Sequence, residues 1–143
     1  MTWIDDHVDQ LNKLRSRNSA VANGAEGIFE ELWKEIVSLS KEAAAKGLRV
    51  RTNGSAFERI VGKSSYPILL DPRNEKQLRI SLDKQRELIS ACGPDQTIDL
   101  SIDLCDDGVV CLKYKDKRIR IEEAAKLILE PFFFSELQFK DNS

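Results

Sequence analysis

The sequence TIDLSIDLCDDGVVCLKY, residues 97–114, carries the clearest structural signal in the chain. Apolar and polar residues alternate on both sides of the turn sequence DDG at 106–108, as in two strands that each bury one face. A three-residue loop with a left-handed glycine sets Leu104 opposite Val110 and gathers the apolar residues on one face. A slip of one residue would move all of them to the other face, so the pattern predicts this antiparallel hairpin.

The same alternation continues towards the N-terminus and predicts an antiparallel meander of about six strands over residues 48–115. Turn-forming clusters separate the apolar runs, and these clusters are GKSS, DPRNE, DKQ, CGPD and DDG. The dipeptide NG at 53–54 predicts a tight turn that sets Val50 opposite Phe57. The other predicted pairs, which share one apolar face, are Ile98 with Ile89, Ile89 with Ile80, and Ile68 with Leu78.

Residues 83–92 fit two structures. They carry helix start and stop signals, but the pairing of the neighbouring strands requires a strand. We favour the strand.

Helical periodicity dominates the region before the sheet. Thr2 and Asp5 resemble a capping pair at the start of an N-terminal arm, residues 1–22, with apolar residues on one face. The segment RSRNSAVANG at 15–24 interrupts this stripe, and Asn23 predicts the start of a second, longer helix over residues 25–46. Trp33 lies at the centre of that helix and is expected in the core.

The C-terminal region predicts one more helix, over residues 121–134. Pro131 is expected to end it, and the following phenylalanines should plug one end of the core. Residues 140–143 should form a loose tail. Together these elements predict one α+β domain over residues 1–143, with a long N-terminal helix and the C-terminal helix on the same sheet face.

Composition excludes several classes of protein. The chain has 143 residues, of which 41% are hydrophobic and 32% are charged, with a net charge of -2. A nucleic-acid binder usually carries a basic excess, and a membrane span needs about 20 consecutive apolar residues. Neither is present, and the acidic start of the sequence does not suit a secretory signal. We therefore expect a cytoplasmic protein with no nucleic-acid or membrane partner.

The cysteines and the histidine do not form a recognisable metal or disulfide pattern. Cys92, Cys105, Cys111 and the single His7 include no CxxC pair. Across the predicted hairpin, Cys105 and Cys111 are diagonal neighbours at roughly 7–8 Å, which is too far for an unstrained disulfide. The sequence predicts three free thiols, no metal and no cofactor.

Candidate catalytic groups lack partners. His7 shares its helix face with apolar residues and Gln10, so we expect a partly buried packing role. The tripeptide GKS at 62–64 resembles part of a phosphate-binding loop, but the first glycine is replaced by Phe57 and no helix follows. It is interpreted as a polar hairpin loop, and the protein is not expected to be an enzyme.

Charged residues on the outer sheet face are predicted to be solvated. Asp99, Ser101 and Asp103 should lie opposite Lys115, Lys113 and Cys111. The basic run KYKDKRIR at 113–120 fits either a phosphate-contacting strip or the protection of an edge strand. We favour edge protection, because acidic residues interleave the run.

The N-terminal arm offers the best candidate interface, formed by Trp3, His7, Leu11 and Leu14. So short a helix needs a cover for its apolar face, which is either its own domain, a second subunit or another protein. The leading hypothesis is a non-enzymatic, chaperone-like accessory module that acts by protein–protein binding. The alternative is a small-ligand binder or enzyme with a pocket between sheet and helices. The architecture resembles that of small acidic chaperones of bacterial secretion systems, without a residue-by-residue match.

Overall fold

A computed structural model describes residues 2–55, 57–64, 75–94, 96–134 and 137. Seven strands form one antiparallel sheet in which each strand pairs with the next along the chain, and two helices complete the α+β fold. The elements are α1 Trp3–Ala45, β1 Arg49–Ser55, β2 Glu58–Ser64, β3 Glu75–Asp83, β4 Leu88–Cys92, β5 Thr97–Leu104, β6 Val110–Tyr114, β7 Lys117–Ile119 and α2 Ile121–Phe133.

The β5–β6 hairpin confirms the predicted register. Leu104 pairs with Val110 and Ile102 with Leu112, and Gly108 has a φ of 78° in the loop. One more strand than expected follows, because a two-residue turn at Lys115-Asp116, with both φ angles positive, leads into β7.

Strand pairing in the middle of the sheet differs from the prediction by two residues. Ile89 pairs with Leu82 and Leu100, rather than with Ile80 and Ile98. Both turns lie one residue later than expected, and a shift of two preserves the apolar face, so alternation alone does not detect it. The strand favoured within residues 83–92 is confirmed as β4, preceded by a turn.

The predicted turn at NG 53–54 is wrong, since both residues lie inside β1 and Val50 pairs with Lys63. A Cβ on Gly54 would be 3.4 Å from the Trp33 indole nitrogen, an ordinary contact distance, so Gly54 lies against α1 as a strand residue. The tripeptide at 62–64 is likewise part of β2 rather than a loop. Leu78 pairs with Val61, and the predicted partner Ile68 lies outside the described residues.

The N-terminal helix is continuous where a break was predicted. Residues 15–24 lie inside α1, so the separate helices over 1–22 and 25–46 are one helix of 43 residues. A Cβ on Gly24 would be 2.8 Å from a Val110 methyl group, so this glycine lets the helix approach β6. The predicted Thr2–Asp5 capping box is confirmed, and Gly47 follows the helix with a φ of 105°.

Both helices cover one face of the sheet and close a continuous apolar core. Pro131 lies inside α2 instead of ending it, because the burial of Phe132 and Phe133 holds the last turn in place. Phe134 is 39% exposed, so the expected aromatic plug consists of two residues. Trp33, predicted in the core, is only half-buried. The tail at 140–143 lies outside the described residues.

Candidate interaction site

The first part of α1 extends beyond the sheet. Every residue from 3 to 16 is exposed, and we call this segment the overhang. It presents an apolar stripe along one helix face, with exposed fractions of 71% at Trp3, 52% at Ile4, 47% at Val8, 43% at Leu11 and 53% at Leu14. Contiguous exposed apolar surface of this kind is typical of interaction sites.

All four residues of the predicted interface lie on the overhang. The expectation of a partly buried His7 is wrong, because the residue is exposed and its ring meets the edge of Trp3 at 5.8 Å between centroids. Ile4 and Val8 belong to the same surface, and their i,i+4 spacing in the sequence is the signal that identifies them.

The stripe continues the helix face that packs on the sheet. Leu14 precedes the buried Val21 by seven residues, and Leu11 precedes the buried Ala25 by fourteen. Residues separated by multiples of seven return to nearly the same side of a helix. The overhang therefore exposes to solvent the same helix face that the rest of α1 buries against the sheet.

An ion-pair cluster fixes the point at which α1 leaves the sheet. The Arg17 guanidinium donates to Asp103 at 2.9 Å and to Glu87 at 3.0 Å, and Lys113 donates to Asp103 at 3.2 Å. The hydrogen bond from Arg17 is the main cause that lowers the pKa of Asp103. The cluster holds the turn of α1 that directly follows the overhang, at Arg17, against the β3–β4 turn and the sheet.

The sequence interpretation missed this cluster because it assigned Arg17 to a break between helices. The predicted pairing of Asp103 with Cys111 and of Ser101 with Lys113 is confirmed. Asp103 is nevertheless an anchor for α1 rather than a solvated strand residue.

The candidate catalytic groups are not brought together. Lys63 is buried, and its ammonium group donates to the Phe133 carbonyl at the end of α2. The ammonium group therefore satisfies a carbonyl at the end of a helix. His7 lies on the overhang, and the described residues contain no cluster of three or more His, Cys, Asp or Glu able to hold a metal.

Two cavities flank α2. The larger, about 640 Å³, lies between the C-terminal half of α1 and α2, over an apolar floor that includes Leu39, Leu129 and Phe133. Its rim carries the ion pairs Lys46–Glu42 at 3.2 Å and Lys126–Glu130 at 3.7 Å. The smaller, about 500 Å³, is lined by Ile28 and Glu31 of α1, by β6 and β7 and by the start of α2, so it lies between the sheet and the two helices. The larger cavity thus lies mainly between helices rather than between sheet and helices.

The basic run at 113–120 covers one edge of the sheet. It spans the end of β6, the turn and the three-residue strand β7, which is the last strand in the sheet order. Arg118 pairs with Asp107 at 3.1 Å, and the Lys115 ammonium lies 5.3 Å from the Tyr114 ring centre. A short edge strand with charged side chains resists pairing with further strands, as predicted.

A disulfide joins Cys105 to Cys111 across the β5–β6 hairpin, and Cys92 is an exposed free thiol. The prediction of three free thiols is therefore wrong. The Cα atoms are 6.2 Å apart, less than the spacing assumed for diagonal neighbours and within the range that a disulfide spans.

Comparison of the chain with protein-family models, with curated proteins and with solved structures found no match. Neither helix, within the described residues, has the length and apolar character needed to cross a membrane.

Proposed function

We propose that this protein is a non-enzymatic interaction module that binds another protein chain through the apolar stripe of the overhang. The observation that carries the proposal is a continuous apolar helix face, exposed from Trp3 to Leu14, at the end of a helix anchored in a folded body. Helix-in-groove and helix-on-helix recognition use anchors with this spacing.

The anchored helix makes the stripe an efficient binding surface. An isolated helix of this length is marginal in water because the first turn is costly to form. Here the overhang continues a helix already formed on the sheet, so a partner does not have to supply that cost. Burying the stripe would remove apolar area from water at roughly 25 cal/mol per Å² before the costs of association.

The body has its own core and does not use the stripe. The core extends from Val21 in α1 to Phe133 in α2, and the stripe is not part of it. A function that leaves the stripe exposed in the free protein and covers it in a complex explains why apolar residues occupy these positions. Such a division suits a small accessory or chaperone-like protein.

A small-ligand binder is the second candidate, supported by the cavity of about 640 Å³ between α1 and α2. Its size lies within the range of ligand sites, and its floor is apolar. It ranks second because Lys46 and Lys126 on its rim pair with neighbouring glutamates instead of converging on a ligand.

We further propose that the partner is a protein, not nucleic acid or membrane, and that binding takes place in the cytoplasm. The small negative net charge supports the choice of partner. The Cys105–Cys111 disulfide opposes the cytoplasmic location, because disulfides are rare there. Recovery of the protein in the cytosolic fraction of lysed cells would support the location, and recovery outside that fraction would contradict it.

Deletion of residues 1–16 tests the function, with Arg17 and its anchor retained. We expect the melting temperature to change by less than about 2 °C, because the deleted side chains lie outside the core. A double variant Asn12→Glu/Ser16→Glu, in the exposed overhang but off the stripe, is the control. A fall in melting temperature of about 5 °C or more would show that the stripe stabilises its own domain, and the proposal would be wrong.

A further inference from the structure

We propose that the partner of the stripe is a second copy of this chain, with the two overhangs paired as an antiparallel two-helix coil. This inference rests on the proposed function and names its partner. Three features of the overhang support it: the position of the sheet, the heptad spacing of the stripe and the distribution of charge.

The position of the sheet excludes a straight parallel pair. Beyond Arg17, the face that bears the stripe is covered by the sheet of the same chain, where Val21 and Ala25 are buried. A parallel partner helix would run along this face directly into the sheet. An antiparallel partner approaches from the free end, so the two bodies lie at opposite ends of the pair.

The heptad spacing selects the register. Ile4 and Leu11 are seven residues apart, as are His7 and Leu14, which corresponds to positions a and d of a coiled coil. An antiparallel pair that sets Ile4 opposite Leu14 also sets His7 opposite Leu11. This register uses all four positions twice by symmetry, as an isologous interface requires.

The length of the overhang agrees with this register. With Ile4 opposite Leu14, the partner's helix start lies at the level of Arg15, one turn or less before the sheet begins. A shift of one heptad towards the body would set Ile4 opposite Val21, which is already buried. The overhang, about 20 Å long at 1.5 Å per residue, is thus nearly filled by one partner helix.

Charge is segregated along the overhang, with an acidic half followed by a basic half, as suits an antiparallel pair. Its acidic residues, Asp5, Asp6 and Asp9, all precede its basic residues, Lys13 and Arg15. In an antiparallel pair, the acidic half of each overhang lies beside the basic half of the other, while Asp6 and Lys13, at position c of the heptad, lie away from the seam. The opposed helix directions also align the two helix dipoles favourably.

Sedimentation or light scattering over a concentration series tests the association. We expect a monomer–dimer equilibrium with a Kd on the order of 1–100 μM, as for a small interface. Leu11→Glu should abolish the dimer by placing a charge in its centre, whereas the control Ser16→Glu, at position f on the far side of the helix, should change the Kd less than about threefold.

Cysteine cross-linking tests the orientation, in a Cys92→Ser background that removes the free thiol. Ile4→Cys and Leu14→Cys chains mixed in equal amounts should oxidise to a covalent dimer, and neither chain should do so alone. An antiparallel pair separates identical positions by about 15 Å along the axis, whereas a parallel pair brings them together. Cross-linking of either chain with itself would therefore overturn the proposal.

The results distinguish this inference from the function on which it rests. A wild-type protein that stays monomeric at about 1 mM overturns the second-copy partner, as does a dimer unaffected by Leu11→Glu. In either case, an unchanged melting temperature of Leu11→Glu supports the proposed function, because the stripe then does not stabilise its own domain. A marked loss of stability in monomeric Leu11→Glu would overturn both.

Discussion

The two ends of α1 have the same apolar periodicity but opposite surroundings. From Val21 onwards the apolar side chains are buried against the sheet, whereas from Trp3 to Leu14 they face solvent. The helix between them is unbroken and the apolar face keeps its direction. Periodicity therefore predicts which face of a helix is apolar, but the length of the sheet determines how much of that face the protein itself covers.

The boundary between the two ends is a polar contact rather than a change in helix structure. Arg17 is the first described residue of α1 that forms ion pairs with the sheet side, through Glu87 and Asp103, and Val21 is the first buried one. Variants after this boundary should therefore change the stability of the fold, and variants before it should change association.

The largest effect is expected from truncation within the buried part. Phe29→Ala should lower the free energy of unfolding by about 3–5 kcal/mol, since Phe29 is fully buried in the core. Leu11→Ala, at the same face of the same helix, should change it by less than about 0.5 kcal/mol. Urea unfolding followed by circular dichroism gives both values. Similar losses in the two variants would remove the distinction between the two ends.

An intermediate effect is expected at the boundary. Arg17→Met should cost about 1 kcal/mol, because the half-exposed ion pairs to Asp103 and Glu87 are lost while the aliphatic packing is kept. The matched variant Arg15→Met, on the exposed overhang, should have no measurable effect.

The cost of Arg17→Met should depend on pH. The pKa of Asp103 is lowered in the folded protein, so its pairing stabilises the fold above the ordinary aspartate pKa of 3.8 and is lost as the pH falls through the lower folded value. The difference between wild type and Arg17→Met should be constant from pH 5 to 7 and shrink below about pH 4. A difference that grows on acidification would contradict the assigned contact.

The smallest effects are expected at two glycines three residues apart in α1. Gly27→Ala should raise the free energy of unfolding by about 0.5–1 kcal/mol, because a Cβ there meets nothing within 4 Å and alanine favours the helix. Gly24→Ala should lose that gain, since its Cβ would meet a Val110 methyl group at 2.8 Å. Equal stabilisation of both variants, measured by thermal unfolding, would show that α1 does not approach β6 so closely.

Local patterns predicted those parts of the fold in which burial and turn chemistry agree. The β5–β6 hairpin is correct because alternation and a glycine in the left-handed region give the same register. Gly24 was interpreted as part of a break and Gly54 as part of a turn, but Gly54 lies inside β1 and Gly24 lies where α1 approaches β6 too closely for a Cβ. Such a tertiary role leaves no local signal, because glycine is common both in turns and at positions of close packing.

The candidate site was predicted only in part, because part of it depends on local spacing and part on contacts between residues that are distant in sequence. The spacing of Trp3, His7, Leu11 and Leu14 identified an apolar helix face without a partner. The anchor was not predictable, because Arg17, Glu87 and Asp103 are distant in sequence and meet only when α1 lies across the sheet. The disulfide was missed because a flat-sheet distance was applied to a short hairpin.

The nearest-neighbour order of the sheet also bears on how the chain folds. Each strand from β1 to β6 pairs with its successor, so every ladder needs only the closure of a connection between consecutive strands. Short loops cost little closure entropy, and a chain rich in such local pairings has a low contact order and folds comparatively fast. The step with the largest sequence separation is the packing of α1 with α2, which joins segments from opposite ends of the chain. Before the helices pack on the sheet, its apolar face is exposed to water, and exposed apolar surface of this kind promotes aggregation.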